Sequence, residues 1–539
     1  MTFDVARALA DPGFTPGERH LPALLELLES CDDATAERLT RVIARAGRAA
    51  LEHASARFGQ ASAATRIRLL RLIARCGDDP RAQALELAAL ADEDLRVRRW
   101  AARGLGKHGS SGPDVEAGLL AAFAGADLPL QRALVEALGN VGGSAALVFL
   151  AKLGSEDIEL ARRVAQARLK LQRGELRVQT SRVLLDARLP RVARVVARTR
   201  TGLARFAAEE LAGFGDVRLL SPSALELSHE GTLGELLIAR TALDFGLRVV
   251  APAPRASTPE GVADLLAAGS TLELMRAWSE GPLRFRLAHA AGGHRRASTW
   301  KTAELVAARG VELTNDPQQA PWEVVVEDDL GEGGLLLVPR AFDDPRFGYR
   351  RADVPAASHP TLAAALARAA RVRPDDVVWD PFVGSGLELV ERALLGPYAR
   401  LIGTDLDSRA LNAARANLAA ASVARYELVQ ADALSHAPAG VTLILTNPPM
   451  GRRVARDGSL RELLGAFVGR AARLLAPGGR LVWLSPLPEL TTRRARALGL
   501  SVEAVSSVDM GGFRAELQIL QAAPPIPAGQ ATPVPPSPQ

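Results

Sequence analysis

Cysteine and histidine are scarce in this chain of 539 residues, which has two cysteines and eight histidines. Two cysteines cannot build a disulfide framework or a zinc knuckle, so Cys31 and Cys76 are predicted to be buried free thiols. The histidines are scattered and show no spacing typical of metal ligands. The sequence therefore predicts no metal site.

Long apolar runs are also missing, because no segment approaches about 18 uninterrupted apolar residues. The N-terminus lacks the succession of charged, apolar and small residues that is typical of a secretory signal. We therefore expect a cytoplasmic protein, from a bacterium, with no membrane contact. A length of 539 residues and a hydrophobic fraction of 48% predict three or four domains with sizeable cores.

Lysine is nearly absent, with four residues against 66 lysines and arginines together, although the net charge is +5 and the pI is about 9.6. Arginine and alanine bias is typical of a GC-rich genome, but the positive balance also fits a polyanionic partner. A solvated charged face is the alternative for any local cluster. The candidate residues for contact with such a polyanion are Arg198, Arg200, Arg205, Arg295, Arg296 and Lys301.

Glycine recurs every 30 to 33 residues in the N-terminal third, at Gly47, Gly77, Gly109, Gly142 and Gly174. Apolar residues at helical spacing lie between these glycines, and short polar turns interrupt them. The repeat indicates helix, turn, helix and a glycine C-cap. Residues 1–175 are therefore predicted to be a HEAT-like α-solenoid of about five repeats, which either binds a protein partner or serves as a spacer.

Residues 176–340 begin with a linker near residues 175–192, which connects them to the solenoid, and then alternate strand-like and helix-like segments. Predicted strands include 193–199, 322–327 and 335–338, and a helix is predicted over 203–213. The alternation favours a mixed, ferredoxin-like α+β domain.

A glycine-rich turn opens the C-terminal domain, which is predicted over residues 341–522. The turn follows the apolar run Val377–Trp379, and its candidate ligand-binding residues are Asp380, Pro381, Phe382, Gly384, Ser385 and Gly386. Gly384 and Gly386 permit a sharp strand-to-helix turn and leave room for a ligand above the backbone. No lysine follows in the pattern of a triphosphate-binding P-loop.

Acidic residues follow the next two strands, at Asp405, Asp407 and Asp432, with Ala433 beside the last. An acid at the second strand end is where a ribose diol would be held, and Asp432 could accept a hydrogen bond from an adenine amino group. Helix capping is the alternative for each aspartate, and it is favoured for Asp407 before Ser408. Three consecutive strands, counted from the one that ends at Asp380, thus end in carboxylates on one sheet edge, and together with the glycine turn they predict a nucleoside-binding site.

The segment Asn447–Pro448–Pro449–Met450 ends the predicted fourth strand and supplies the candidate catalytic residues. An aromatic amine is a poor nucleophile because its lone pair is delocalised. The Asn447 carbonyl and a neighbouring backbone carbonyl can accept its two N–H groups and localise the lone pair toward an electrophile. The two prolines stiffen this loop. No strong base is needed if the amine loses its proton only after it has bonded to the electrophile.

These motifs together resemble the THUMP-domain RNA methyltransferases that make N2-methylguanosine in tRNA or rRNA. The resemblance runs from about Ala193 to Gln521 and also rests on Thr201–Leu211, Arg346–Arg351 and His359–Ala365. It implies a class I, Rossmann-like methyltransferase domain, S-adenosylmethionine as cofactor and RNA as partner. It also implies that the glycine turn, Asp405 and Asp432 hold the cofactor, and that residues 447 to 449 hold the target amine. The family usually has an aromatic residue or histidine where this chain has Met450, whose thioether can lie against a ring face.

Three alternatives stay open. An adenine-N6 nucleic-acid methyltransferase or a protein glutamine methyltransferase would use the same asparagine and prolines. A non-catalytic HEAT-repeat scaffold would keep only cofactor or RNA binding. Residues 523–539 are rich in proline and are predicted to be disordered.

Overall fold

The computed structural model describes residues 13–77, 79–108, 112–177, 179–250, 258–290, 295–327, 334–450 and 457–524. The predictions for Gly109 and for almost all of the proline-rich tail lie outside these residues. Contacts divide the described residues into two units. One contains those up to Thr180 together with Arg295–Gln319, and the other contains those of Ser181–His294 and Ala320–Gln539.

The first unit is helical over most of its length, as predicted. Each helix packs on the helix that lies two positions further along the chain, so the helices form two rows. One row contains Asp33–Ile43, Ala63–Ile73, Leu95–His108, Leu128–Val141 and Ile158–Arg177. The other contains Leu21–Ser30, Arg48–Phe58, Pro80–Ala89, Pro113–Ala121 and Ser144–Lys152.

Small residues allow neighbouring helices of the first row to approach each other closely. A Cβ added to Gly106 would lie 2.8 Å from the Cα of Ala137, and one added to Gly139 would lie 2.7 Å from the Cα of Ala167. No real Cβ approaches a backbone atom so closely, so glycine at these positions lets neighbouring helices touch.

The glycine caps are confirmed in part. Gly47 (φ 57°) and Gly77 (φ 103°) adopt the left-handed region after helical segments, and Gly142 ends its helix with extended backbone. Gly174 lies inside the helix Ile158–Arg177, so the prediction of a cap there is wrong. That helix also continues past the predicted domain end at residue 175.

The free cysteines of this unit are half-buried, each just after a helix, rather than fully buried. Burial raises the pKa of the Cys76 thiol to about 11, so it stays protonated and unreactive at neutral pH.

Helix Arg296–Ala308 and strand Leu313–Asn315 belong to the helical unit. Arg173 connects them to the last long helix, because its Nη2 donates to Asn315 Oδ1 at 2.6 Å. These residues were predicted to belong to the middle domain. Their partners in the N-terminal helices are distant in the chain, so no local pattern indicates the contact.

A mixed sheet forms the middle of the second unit, and the predicted α+β character is confirmed. Its described strands are mostly antiparallel, and Leu283–His289 pairs parallel with Trp322–Glu327. The strand order is Val217–Ser221, Ala224–His229, Ala193–Arg198, Asp244–Val250, Gly334–Pro339, Trp322–Glu327 and Leu283–His289. The helices of this part are Ala204–Leu211, Leu233–Leu236, Pro259–Ala267 and Gly269–Ala277, and strands Arg182–Val183 and Ser279–Glu280 pair separately.

A sheet of seven strands forms the C-terminal part of the second unit. The strands are β1 (Val377–Asp380), β2 (Arg400–Asp405), β3 (Tyr426–Gln430), β4 (Leu443–Thr446), β5 (Arg480–Ser485), β6 (Ser501–Asp509) and β7 (Arg514–Gln521). The helices are α1 (Pro360–Ala369), α2 (Leu387–Leu394), α3 (Ser408–Ala420), α4 (Asp457–Leu474) and α5 (Pro488–Ala497). The order is β3-β2-β1-β4-β5-β7-β6; β1 to β5 are parallel and β7 is antiparallel to both neighbours. The four strands predicted before the glycine turn, before the acids at Asp405 and Asp432 and before Asn447 are confirmed as β1 to β4.

The middle part and the C-terminal part share one core within the second unit. Leu203 and Phe206 belong to the same buried apolar cluster as Leu366 and Val508. Gly202 packs so closely that an added Cβ would lie 2.2 Å from the Ser507 backbone oxygen. The middle part is therefore fixed against the C-terminal sheet rather than tethered to it.

A buried ion pair also joins these two parts. Arg240 donates to both carboxylate oxygens of Glu391, at 2.7 and 2.8 Å, and to the backbone oxygen of Arg346. The Glu391 side chain is 1% exposed, and it also accepts the Tyr349 hydroxyl. Removing the arginine would leave a buried carboxylate without its cation.

We expect Arg240→Ala to lower the free energy of unfolding by about 3 kcal/mol, measured by urea denaturation. The matched control is Arg182→Ala, which breaks an exposed pair with Glu280 and should cost less than about 1 kcal/mol. Equal losses in the two variants would contradict the structural role of Arg240.

Candidate active site

The strand order reverses direction between β1 and β4. From β1 the chain continues to β2 and β3 on one side, and it returns through β4 to the other side of β1. In parallel α/β sheets, the crevice outside the carboxyl ends of the strands at such a point is where ligands bind. Asp380 ends β1 and Asn447 directly follows β4, so the two predicted motifs flank this crevice.

Asp380 is completely buried. Its Oδ1 accepts the Phe382 backbone N–H at 3.1 Å and the Thr446 hydroxyl at 2.6 Å, which ties the glycine turn to the end of β4. Its Oδ2 has no partner among the described residues. Burial, and then the nearby Glu388 carboxylate, raise the pKa of Asp380 well above its usual range.

The two glycines of the turn have different roles. Both have left-handed backbone, with φ of 49° at Gly384 and 80° at Gly386. A Cβ on Gly384 would meet nothing closer than 3.9 Å, whereas one on Gly386 would lie 3.0 Å from the Ala414 Cβ in α3. Gly384 therefore leaves open space above the turn, and Gly386 allows α2 and α3 to pack. Between them, the buried Ser385 hydroxyl has no partner among the described residues.

The predicted acids occupy different positions. Asp405 lies against the turn, because its Oδ2 accepts the Gly384 N–H at 3.0 Å and its Oδ1 accepts the Asp407 N–H at 3.0 Å. Asp407 caps α3 by accepting the Arg409 N–H at 2.9 Å and pairs with the Arg409 guanidinium, as the capping alternative predicted. Asp432 is exposed and accepts the Leu434 N–H at 2.9 Å.

Other predicted cofactor residues pack in the protein interior. Pro381 is buried, and its backbone oxygen accepts the Thr404 hydroxyl at 3.3 Å. The Phe382 ring contacts Phe467 of α4 edge to face, with centroids 5.3 Å apart. Ala433 is 4% exposed in an apolar cluster.

Asn447 lies at the other side of the crevice. Its Nδ2 donates to the Ser358 hydroxyl oxygen at 2.9 Å, and Ser358 donates in turn to Glu388. The Asn447 Oδ1 is buried and has no partner among the described residues. Pro448 is buried, Pro449 is half-buried, and Met450 packs on the main apolar cluster of the domain. Asp380, Ser385 and Asn447 thus each present a buried polar atom that a bound ligand could satisfy.

Asn417 organises the site, although the sequence did not single it out. It is fully buried in α3, and its Oδ1 accepts the backbone N–H groups of Arg351 and Ala352 at 2.8 and 2.9 Å. Its Nδ2 donates to the backbone oxygens of Ala352 and Ser385 at 2.8 and 2.9 Å. It therefore holds the segment before α1 against the glycine turn. An asparagine on the apolar face of an amphipathic helix is the signal that could have found it.

The predicted RNA-binding residues fall in both units. Arg198 donates to both oxygens of Asp244, and Arg205 lies over the Phe206 ring at 4.6 Å. Arg200 Nη1 donates to the backbone oxygen of Asp509 at the end of β6, at 3.4 Å. Burial lowers the pKa of His359, and the charges of Arg200 and Arg350 lower it further. Arg295, Arg296 and Lys301 lie at or in the helix Arg296–Ala308 of the helical unit.

The described residues contain neither a metal-binding cluster nor a membrane-spanning helix. No group of three or more histidine, cysteine, aspartate or glutamate side chains could hold a metal ion. No helix in the same residues is long and apolar enough to cross a membrane.

The parallel sheet order with one antiparallel strand, the glycine turn and the acids at the strand ends define a Rossmann-like class I methyltransferase domain. Residues 347–515 match the model of the UPF0020 family, described as the RMKL-like methyltransferase domain. The predicted class of enzyme and its cofactor, S-adenosylmethionine, are thereby confirmed for this domain.

Relatives and solved structures agree with this class. The chain is 37% identical over 166 residues to the tRNA (guanine(6)-N2)-methyltransferase of Thermus thermophilus, covering 30% of this chain and 49% of that protein. It is 31% identical over 134 residues to the tRNA (guanine(10)-N2)-dimethyltransferase of Methanothermobacter thermautotrophicus, covering 24% and 39%. The chain thus spans about half or less of the length of these relatives. The crystal structure of TrmN from Thermus thermophilus matches with a TM-score of 0.50 and 27% identity, covering 62% of this chain and all of that one.

Proposed function

We propose that this protein transfers a methyl group from S-adenosylmethionine to the N2 amino group of a guanine in RNA, with tRNA as the RNA that its relatives favour. The observation that carries the proposal is the Asn447 carbonyl oxygen, which is buried and unpartnered among the described residues beside the β1–β4 crevice. A carbonyl at this place accepts an N–H group, so the acceptor of the methyl group is an amine. The names of the relatives identify guanine N2 as the amine on which those proteins act.

The residues at the glycine turn fit the cofactor. Gly384 leaves open space, and Asp405, whose carboxylate already orders the turn, would hold the ribose. The unpartnered Asp380 and Ser385 oxygens are acceptors available to a ligand that carries positive charge. Leu406, between the two acids, is 69% exposed and would cover an apolar ring face. S-adenosylmethionine supplies an electrophilic methyl group on a sulfonium.

Residues of this chain would hold the substrate amine. Asn447 Oδ1 and a backbone carbonyl of the following prolines would accept the two N–H groups of the amine, which localises its lone pair. Because these acceptors are fixed before the substrate binds, little reorganisation is needed as charge develops on the nitrogen. Met450 occupies the position at which the resembled family usually has an aromatic residue or histidine. Its thioether would contact the base.

We further propose that the middle part is a THUMP-like RNA-binding domain. Arg200 Nη1 donates to the backbone oxygen of Asp509 at the end of β6, so a phosphate bound to this arginine would be close to the catalytic domain. We expect Arg200→Ala combined with Arg205→Ala to raise KM for RNA several-fold and to leave kcat nearly unchanged, whereas Arg182→Ala, at an exposed pair, changes neither. An unchanged KM in the double variant would refute this RNA contact.

We also propose that the helical unit is a HEAT-like repeat array that serves as a docking surface for a protein partner. The two rows of helices and the glycine contacts between neighbouring pairs support it. In such an array each repeat contacts only its neighbours. Hydrogen exchange measured along the chain should then differ from repeat to repeat, and one uniform protection value across the unit would argue against an array.

The proposed reaction is tested by incubating the protein and isotopically labelled S-adenosylmethionine with unmodified transcripts of bacterial tRNA. Digestion to nucleosides and mass spectrometry should show labelled N2-methylguanosine. Label in N6-methyladenosine would replace guanine by adenine as the substrate. The same incubation is repeated with a cell extract in place of the transcripts. Label in protein glutamine there, or no label in any RNA or protein, would overturn the proposal.

Asp405 and Asp407 provide a matched pair for testing the cofactor site. Asp405→Ala should weaken S-adenosylmethionine binding by about ten- to a hundredfold, because a hydrogen bond to a charged acceptor contributes roughly 1.5–3 kcal/mol. Asp407→Ala removes only a helix cap and should leave the affinity unchanged while lowering stability by about 1 kcal/mol. Calorimetry that shows equal affinities for both variants would exclude Asp405 from the ribose site.

A further inference from the structure

Three buried or half-buried polar side chains from separate segments form a hydrogen-bonded chain beside the crevice. Glu388 comes from α2, Ser358 from the segment before α1, and Asn447 from the segment that directly follows β4. Ser358 donates to Glu388, and Asn447 Nδ2 donates to the Ser358 oxygen at 2.9 Å. Glu388 is 4% exposed, and nothing in the proposed cofactor site uses it.

The number of hydrogens on Ser358 decides which way the Asn447 amide points. A hydroxyl has one hydrogen and two lone pairs. A carboxylate can only accept, so Glu388 takes the single hydrogen of Ser358. Only lone pairs then remain to face Asn447, which must present its NH₂ group to Ser358. The amide carbonyl is therefore directed away from Ser358, and it is the buried oxygen without a partner among the described residues.

We propose that Glu388 and Ser358 are positioning residues that fix the orientation of the Asn447 amide, so that its carbonyl rather than its NH₂ group meets the substrate amine. This inference rests on the proposed function, because it assigns Asn447 the role of accepting an amine hydrogen. A flipped amide would present donors to a donor, which is repulsive at a buried site. The relay thus excludes the unproductive orientation before substrate binds.

The relay depends on the charge of Glu388. A protonated Glu388 could donate to Ser358, which would free the Ser358 hydrogen to point at Asn447 and reverse the amide. The titratable groups that face Glu388 are Asp380 at the end of β1, Glu391 in α2 and Tyr349 before α1. Burial, opposed by the Ser358 hydrogen bond, raises the pKa of Glu388. The correct orientation is therefore present at high pH and is lost as pH falls through this raised pKa.

The first test uses hydroxyl variants and steady-state kinetics with the full-length protein. Ser358→Ala should lower kcat roughly three- to tenfold, the effect of losing one hydrogen bond, while the affinity for S-adenosylmethionine stays unchanged. Ser358→Thr keeps the hydroxyl and should restore most of the rate. The matched control is Thr442→Val, which removes a hydroxyl that donates to the Asp376 carboxylate at the opposite end of β4. A normal kcat for Ser358→Ala, or an equal loss in the control, would overturn the relay.

The second test is the pH profile of Glu388→Gln. Glutamine carries both a donor and an acceptor and does not titrate, so kcat should be lower at high pH and its decline on the acid side should disappear or move. An acid limb identical to that of the wild type would overturn the role of Glu388.

A third measurement does not depend on turnover. In protein labelled with ¹⁵N-asparagine, the Asn447 side-chain NH₂ signal is assigned by its loss in Asn447→Ala, and it should shift on Ser358→Ala and with pH. An NH₂ signal insensitive to both changes would refute the relay. If the wild type methylates no RNA while this signal responds as expected, the proposed function fails and the relay stands.

Discussion

Asn447→Ala should reduce methyl transfer to RNA by at least about a hundredfold and leave the affinity for S-adenosylmethionine within about twofold of the wild type. The alanine removes the carbonyl that accepts the amine hydrogen, whereas the glycine turn and Asp405 keep their contacts with each other. The rate constant is measured by single turnover with labelled cofactor, and the affinity by calorimetry.

Asn412 supplies the control for this experiment, because it is an exposed asparagine on α3 whose Oδ1 accepts from Arg415. Asn412→Ala should retain both the rate and the affinity. Full activity of Asn447→Ala would show that amine activation does not pass through this side chain, and cofactor affinity that falls with the rate would place Asn447 in the cofactor site instead.

The parts of the fold that could be predicted are those that depend on local patterns. The apolar run Val377–Trp379 before the glycine turn gave β1, and the runs ending at Asp405 and Thr446 gave β2 and β4. The residues that follow parallel strands lie at one edge of the sheet, so the site motifs could be predicted to lie together from their order alone. The capping role of Asp407 was predictable for the same reason, since a cap involves only the next few residues.

The relations that the sequence could not supply are between distant segments. Glu388 is hydrogen-bonded to a serine 30 residues before it, and Asn417 to backbone 65 and 66 residues away. Arg198, predicted to bind RNA, pairs with Asp244 on the neighbouring strand, which becomes visible only when the strands are in register. Gly174 fits the glycine spacing, but the helix continues through it because residues on both sides favour helix.

The two glycines of the turn should respond to substitution in opposite ways. Gly384→Leu places a side chain in the open space above the turn and should weaken S-adenosylmethionine binding by at least about a hundredfold, or more than roughly 2.7 kcal/mol. Its folded structure should lose only the cost of a left-handed residue, about 1–2 kcal/mol, since an added Cβ meets nothing closer than 3.9 Å.

Gly386→Ala carries the same backbone cost, but its methyl group would also press on Ala414, whose Cβ is 3.0 Å from the added Cβ. Overpacking adds about 1–3 kcal/mol, so this smaller substitution should destabilise the protein more than Gly384→Leu does. The affinity of the folded fraction for the cofactor should change little. Thermal unfolding measures the stability of each variant, and calorimetry measures its affinity for the cofactor. Gly384→Leu should be the more stable of the two, and Gly386→Ala should bind the cofactor more tightly. If Gly384→Leu binds the cofactor normally, the space above Gly384 is not the cofactor site.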